Sequence, residues 1–227
     1  MKFLGFILVA LVGTAFASDL TIEGGINGEY YGGIIATDDI IDSYAYNASQ
    51  AYTSAYANFA PDATQNYITA DDFTITVDAS IAELLYWMVN TDGNGHPTVV
   101  DVFLYADAAP GPGAELQSTT GTVVSTITTI PWGSNWVYEC MITLNAPFTF
   151  DLGTTYWTAP LRDDGTFGTW YCVVGNVIRG TECYLWYNGV WQAWSTQGYP
   201  AQDMFRVMYG STTPLERNSW GAIKTIF

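Results

Sequence analysis

The sequence predicts an all-β chain: an antiparallel β-sandwich, jelly-roll-like, with an N-terminal arm and a short C-terminal tail. Three observations carry that expectation. After Pro61, ten short runs alternate apolar and polar side chains with a period of two, as strands with one buried face do. Stretches rich in Gly, Pro, Asn and Asp separate these runs, at roughly 8 to 16 residue spacing. Nothing between them shows a convincing helical period, which leaves a sandwich, with a closed barrel as the alternative.

The chain opens MKFLGFILVALVGTAFASDL, with one basic residue, Lys2, an apolar run from Phe3 to Val12 and the small-x-small triplet Ala15-Phe16-Ala17. Residues 1–17 therefore predict a secretory signal peptide, cleaved after Ala17 and too short for a stable membrane span. The rest, residues 18–227, suffices for one core with an appended segment and is expected outside the cell, secreted or held at the cell surface. Residues 18–57 are rich in Gly, Ala, Ser and Asn and carry Tyr30, Tyr31, Tyr44, Tyr46, Tyr52 and Tyr56, a composition that suits short hairpins or an extended arm. Asn47-Ala48-Ser49 within it is formally a glycosylation acceptor.

Residues 58–211 read as the sandwich domain. Its strands are expected at FTITV (73–77), IAELLYWMV (81–89), TVVDVFLY (98–105), TVVSTITTI (122–130), WVYECMITL (136–144), TYWTA (155–159), TWYCVV (169–174), CYLWY (183–187), VWQAW (190–194) and MFRVMY (204–209). The segments TDGNGHP, DAAPGPGAE, LNAPF, RDDGTFG and TQGYPAQ read as the turns and loops between them. In the tail, 212–227, Trp220, Ile223 and Phe227 stand at helical spacing, a pattern for a short amphipathic helix that, with Arg217 and Lys224, cannot span a membrane. After the signal, no stretch reaches transmembrane length.

Six Lys and Arg face 22 Asp and Glu, a formal charge of -16. Such a field repels nucleic acid, and there is no basic stripe to release counterions. It suits an extracellular setting and attracts divalent cations. Of the three cysteines, Cys140 falls on the apolar face of its strand with Trp136, Tyr138, Ile142 and Leu144, which predicts a buried thiol. Cys172 and Cys183 lie on successive strands and are the preferred disulfide pair, provided that strand register brings their Cα atoms within about 7 Å.

Several stretches carry a family resemblance. ADDFTI (70–75), VDVFLYADAAPGPGAEL (100–116), GTTYWTA (153–159) and WQAWSTQGYPAQDMFRVMYGS (191–211) resemble the secreted bacterial and archaeal choice-of-anchor β-sandwich domains, type R in particular. The resemblance spans 58–211 and rests on strands with their turns, not on a reaction centre. It implies an extracellular jelly-roll-like module, displayed at or shed from the cell surface and without assigned catalysis. The chain departs from the family's pattern at its C-terminus, where members often carry an anchor helix or a sorting signal.

The densest aromatic stretch, residues 168–194, holds four of the nine tryptophans. Asn188-Gly189 there predicts a two-residue type I′ hairpin, since both residues tolerate positive φ. Tyr187 then faces Val190, Trp186 faces Trp191, Leu185 faces Gln192 and Cys183 faces Trp194, with the two indoles at a non-hydrogen-bonded pair, where side chains approach most closely. Leu185, Val190, Cys183 and Trp194 share the face expected to look into the core. Trp186, Trp191 and Tyr184 share the other, a candidate surface for stacking sugar rings, with Gln192, Asn188 and Glu182 as rim groups for hydroxyls.

Reaction centres are scarce. The lone histidine, His96, sits in a Gly/Pro turn and reads as a surface loop residue. There is no zinc-ligand spacing, phosphate-cradling loop or dinucleotide fingerprint. Paired acids such as Asp71 with Asp72, Asp163 with Asp164, Glu83 and Glu182 suffice in number for glycoside hydrolysis, but in so acidic a chain such pairs arise by chance. No cofactor is expected beyond a structural calcium ion, for which Asp92, Asn94 and Asp101 flank one loop.

The sequence thus points to a non-enzymatic extracellular module that recognises a glycan or another cell-surface component through an aromatic face. A structural subunit of a surface layer, fibre or matrix, self-associating through its N-terminal arm, is the alternative. A glycoside hydrolase-like enzyme stands third.

Overall fold

A computed structural model describes residues 39–46, 51–57, 59–62, 65–91, 95–162, 170–187, 189–198 and 200–212. The predicted signal, Asn47, the acids at 163 and 164, and residues 213–227 of the tail lie outside them. Within them the all-β class and the antiparallel pairing are as expected, and there is no α-helix, only a 3-10 turn at Trp194–Gln197. No helix among the described residues is long and apolar enough to cross a membrane.

Three strands belong to the arm and its junction: β1 (Asp39–Tyr44), β2 (Ala51–Ala57) and β3 (Phe59–Asp62). The others are β4 (Gln65–Thr74), β5 (Ala79–Asn90), β6 (Val99–Asp107), β7 (Pro112–Trp132), β8 (Asn135–Phe150), β9 (Thr155–Leu161), β10 (Trp170–Gly175), β11 (Tyr184–Tyr187), β12 (Val190–Ala193), β13 (Asp203–Met204) and β14 (Arg206–Thr212). Hydrogen bonding runs through one path, β1-β14-β5-β8-β7-β6-β9-β4-β11-β12, with β10 bonded to β2, β5 and β13, and β3 bonded to β4. The layering is that of one sheet curled on itself.

Strand parity explains where the core sits, because alternate side chains point to opposite faces. The inner face gathers Phe73, Leu84, Tyr86, Met88, Val102, Leu104, Cys140, Ile142, Trp170, Cys172, Met204 and Met208 into the main core. Their neighbours one residue along, Leu85, Trp87, Val89, Met141, Val173, Phe205 and Val207, form a second cluster on the outer face. Tyr44 and Tyr46 cover that second cluster, with the Tyr44 and Phe205 ring centroids 4.7 Å apart and those of Tyr46 and Phe205 5.2 Å apart. The described part of the arm therefore packs on its own chain: β1 pairs with β14 and β2 with β10.

Several boundaries differ from the sequence expectation. The run FTITV leaves the sheet at Thr74, whereas LNAPF, expected as a turn, lies inside the 16-residue β8. A bulge takes up its extra residues: Ile81 pairs with Phe148 but Glu83 with Thr143, so β8 advances five residues while β5 advances two. The backbone N–H of Ala146, thrown out of the ladder, donates to Thr119 Oγ1 at 3.1 Å. DAAPGPGAE shrinks to a turn closed by Ala108 N donating to Gly111 O at 3.0 Å, and β7 starts at Pro112.

Candidate functional site

The hairpin forms in the register its turn dictates. Tyr184 pairs with Ala193, Leu185 with Gln192, Trp186 with Trp191 and Tyr187 with Val190, while Trp194 N donates to Cys183 O at 3.1 Å. Gly189 takes φ of +83°, a region open to glycine at little cost. Trp186 and Trp191 meet edge to face, with centroids 5.3 Å apart and an interplanar angle of 64°.

The hairpin also joins the sheet through β11 and β4, where Trp186 pairs with Ile68 and Tyr184 with Ala70. Its aromatic face thereby continues the outer face of β4, β9 and β6, where Ala70, Tyr105, Trp157, Ala159 and Tyr184 form a third cluster flanked by Phe103 and Trp191. The rings touch in series. Phe103 and Tyr105 stack at 6.1 Å, Tyr105 meets Trp191 at 5.2 Å, and Trp191 meets Trp186. Beneath them Trp157 is fully buried, meets Tyr184 at 5.3 Å and donates Nε1–H to Asp107 Oδ1 at 3.0 Å.

Of the predicted ligand residues, Trp186 and Trp191 are half-buried and face outward. Tyr184 is a support, only 8% exposed, because the 108–111 turn lies on it: a Cβ on Gly111 would stand 2.5 Å from the ring. Gln192 looks to the Leu185 side and accepts from Gln197 Nε2. Glu182 accepts from the Ser195 N–H at 2.7 Å and the Ser195 hydroxyl at 2.6 Å, fastening the 3-10 turn to the strand before the hairpin. Leu185 and Cys183 enter the core as expected, but Val190 stands 52% exposed, since the core extends only beneath the inner half of the hairpin. Asn188 lies outside the described residues.

Other expectations need correction. Cys172 and Cys183 are free thiols, as is Cys140. Their strands are not neighbours: β10 pairs with β2, β5 and β13, and the β11 hairpin pairs with β4. His96 is not a surface loop residue; it is half-buried, its Nδ1 accepts from Trp170 Nε1 at 3.0 Å and lies 3.4 Å from Cys140 Sγ, and Tyr138 packs on its ring at 4.1 Å. Burial pushes the Cys140 thiol up to about 12, opposed by a hydrogen bond with Ser125. The pair thus meets without the depressed thiol pKa of a nucleophile. Of the calcium trio, Asp92 and Asn94 are outside the described residues, and Asp101 lies on β6, within the strand expected at 98–105.

Sequence reasoning missed a buried ionic cluster. Asp71 and Asp72 are adjacent on β4 and so point to opposite faces. Asp72 turns outward and takes the Thr181 N–H on both oxygens at 3.0 Å. Asp71 turns into the core, where its Oδ2 accepts from Arg206 Nη1 and from Met204 N at 3.0 Å, while Arg206 Nη2 donates to Asp72 O. Asp203 Oδ2 accepts from Arg179 N at 2.6 Å, and Asp42 lies 3.4 Å from Arg179 and 3.7 Å from Arg206. Burial drives the Asp71 carboxyl well above its ordinary range against the pull of Arg206, and pushes Asp203 up to about 6. The signal was parity: Asp71 shares its face with Phe73 and Ile75, and Arg206 shares its face with Met204 and Met208.

No family model, curated protein or solved structure matches this chain.

Proposed function

We propose that this protein is a non-catalytic extracellular recognition module that binds carbohydrate across the outer face of its hairpin. The observation that supports the reading is the series of touching rings, Phe103, Tyr105, Trp191 and Trp186, laid along one face of β6, β11 and β12. Its last two members keep part of their surface in solvent, while Trp157 and Tyr184 beneath are buried. Partly exposed indoles on a rigid, fully packed layer give pyranose C–H faces a stacking surface that loses little entropy on binding. Glu115, exposed and paired with Tyr105 across β6 and β7, and Asp101, two residues before Phe103 on β6, put carboxylates on that side for hydroxyl groups. The signal peptide expected from the sequence and the resemblance of residues 58–211 to choice-of-anchor domains are consistent with this setting.

The competing reading is assembly into a layer or fibre. Since β1 and β2 are already paired within the chain, assembly through these two strands would use either their exchange between copies or the outer edge of β1, which ends the hydrogen-bonded path. One experiment separates the two. The purified protein and a Trp186→Ala/Trp191→Ala variant with unchanged circular dichroism are tested by polysaccharide pull-down and glycan array, with particle size recorded on the same samples. Binding by the parent that drops at least tenfold in the variant supports recognition. Absence of binding by both, with large ordered particles, overturns it in favour of assembly.

A further inference from the structure

We propose that Asp71, Asp203 and Cys183 form a buried site for a thiophilic divalent cation of the zinc class, fixing the closure of the curled sheet. Each of the three residues brings one ligand atom, a carboxylate oxygen or Sγ, to within 4.8 Å of the others. They come from β4, from β13 and from the chain just before β11, so a shared ion ties together three parts of the fold that are remote in sequence.

Two further observations point to a cation. The first is the hydrogen bonding of the carboxylates. On Asp71, Oδ2 is held by Arg206 and Met204 N, and on Asp203, Oδ2 is held by Arg179 N. The other oxygen of each, Oδ1, is buried without a protein partner, in residues that are 0% and 2% exposed. One oxygen anchored by protein donors and the other unshared is how metal-bound carboxylates are oriented. An unshared carboxylate oxygen in a protein interior is otherwise costly. The second observation is charge. Around this point stand four carboxyl groups, Asp42, Asp71, Asp72 and Asp203, and only two guanidiniums, Arg179 and Arg206, so acids outnumber bases by two. With the carboxyls ionised and Cys183 as thiolate the excess is three negative charges, of which a divalent cation offsets two.

Donor chemistry selects the ion. Calcium and magnesium take oxygen ligands only, whereas one thiolate with two carboxylates suits Zn²⁺, and Co²⁺ as its spectroscopic substitute. Binding exchanges the Cys183 S–H bond for an S–metal bond, and the thiol proton leaves to solvent with any proton held on the two carboxyls. Arg206 remains the hydrogen-bond partner of Asp71 from behind.

The test uses the purified full chain, stripped with chelator and shown to be folded, then titrated with Zn²⁺ and with Co²⁺. The expected result is one equivalent of Zn²⁺ retained through gel filtration and, with Co²⁺, a thiolate charge-transfer band. Cys183→Ser abolishes the band and weakens Zn²⁺ at least tenfold, while Cys140→Ser, a buried thiol elsewhere in the core, changes neither. Folded parent protein with no band and no retained zinc overturns the site, and so does a band that survives in Cys183→Ser. If Cys183→Ser does not fold, Asp203→Asn replaces it, with the same loss of zinc expected and unchanged retention counting against the site.

Discussion

Asp71 and Arg206, 135 residues apart in the chain, form a buried ion pair that joins β4 to β14, the eighth and second strands of the hydrogen-bonded path. The pair therefore bridges the curl from one side to the other, where no backbone ladder does so. Removing Arg206 leaves four carboxylates facing Arg179 alone, whereas Asp71→Asn leaves Arg206 its contacts with Asp42 and the Asp72 carbonyl. We expect Arg206→Met to cost about 3–5 kcal/mol and Asp71→Asn about 1–3 kcal/mol. Asp71→Leu/Arg206→Met should be milder than Arg206→Met alone, because it leaves one fewer buried charge unmatched. Urea unfolding of the three variants in chelator checks the order; a double variant worse than both singles would contradict it.

The same cluster sets a pH dependence whose direction is unusual for carboxylates. Burial raises Asp203 to about 6 from an ordinary value of 3.8, and Asp71 moves the same way. The folded protein thus holds these protons more tightly than the unfolded chain does. The Asp203 contribution is complete below the ordinary carboxyl range and is lost as pH rises through about 6, and the Asp71 contribution has the same sign. In chelator, Tm should fall by several degrees between about pH 5 and pH 7.5, and Asp203→Asn should flatten the slope. A Tm that rises over that interval in the parent would mean that the cluster is ionised and paired in full.

The hairpin shows what was legible in the sequence. A two-residue turn fixes its register locally, so the pairing of Trp186 with Trp191 follows from Asn188-Gly189 and strand parity alone. Tyr184 was placed on the right face but its burial was not foreseen, because the cover comes from the 108–111 turn, more than 70 residues away. The ionic cluster was missed for the same reason. Parity marks Asp71 and Arg206 as inward-facing, but nothing local says that two inward charges on distant strands will meet. Cys172 and Cys183 do not pair because succession in the chain is not adjacency in the sheet: β10 and β11 go to different partners.

The ring series predicts graded costs. Trp157 is fully buried, so Trp157→Ala should lose about 3–5 kcal/mol. Trp186 and Trp191 are half-exposed and should lose less, with Trp191 the more sensitive because it also meets Tyr105. A double-mutant cycle on the two indoles should return a coupling of about 0.5–1.5 kcal/mol. Gly189→Ala, forced to keep a positive φ, should cost about 1–2 kcal/mol and loosen the pair. Indole fluorescence together with urea unfolding reads each of these; zero coupling would mean that the two rings do not pack on each other in solution.

Three free thiols pose a chemical question if the proposed extracellular setting holds, since disulfides form readily outside the cell. Burial answers it. Each thiol is fully enclosed, and desolvation pushes Cys140 up to about 12 and Cys172 and Cys183 well above the ordinary thiol value, which removes the thiolate needed for exchange. The chain in chelator should therefore resist an aromatic disulfide reagent at about pH 8 and release three equivalents only when urea unfolds it, with labelling paced by global opening. One equivalent instead of three would reveal a bond between two of the cysteines and reinstate the pairing of Cys172 with Cys183 as the first to test. With zinc added before the reagent, Cys183 should be the last thiol to react as urea is raised, because the ion holds its sulfur as well as the strands around it.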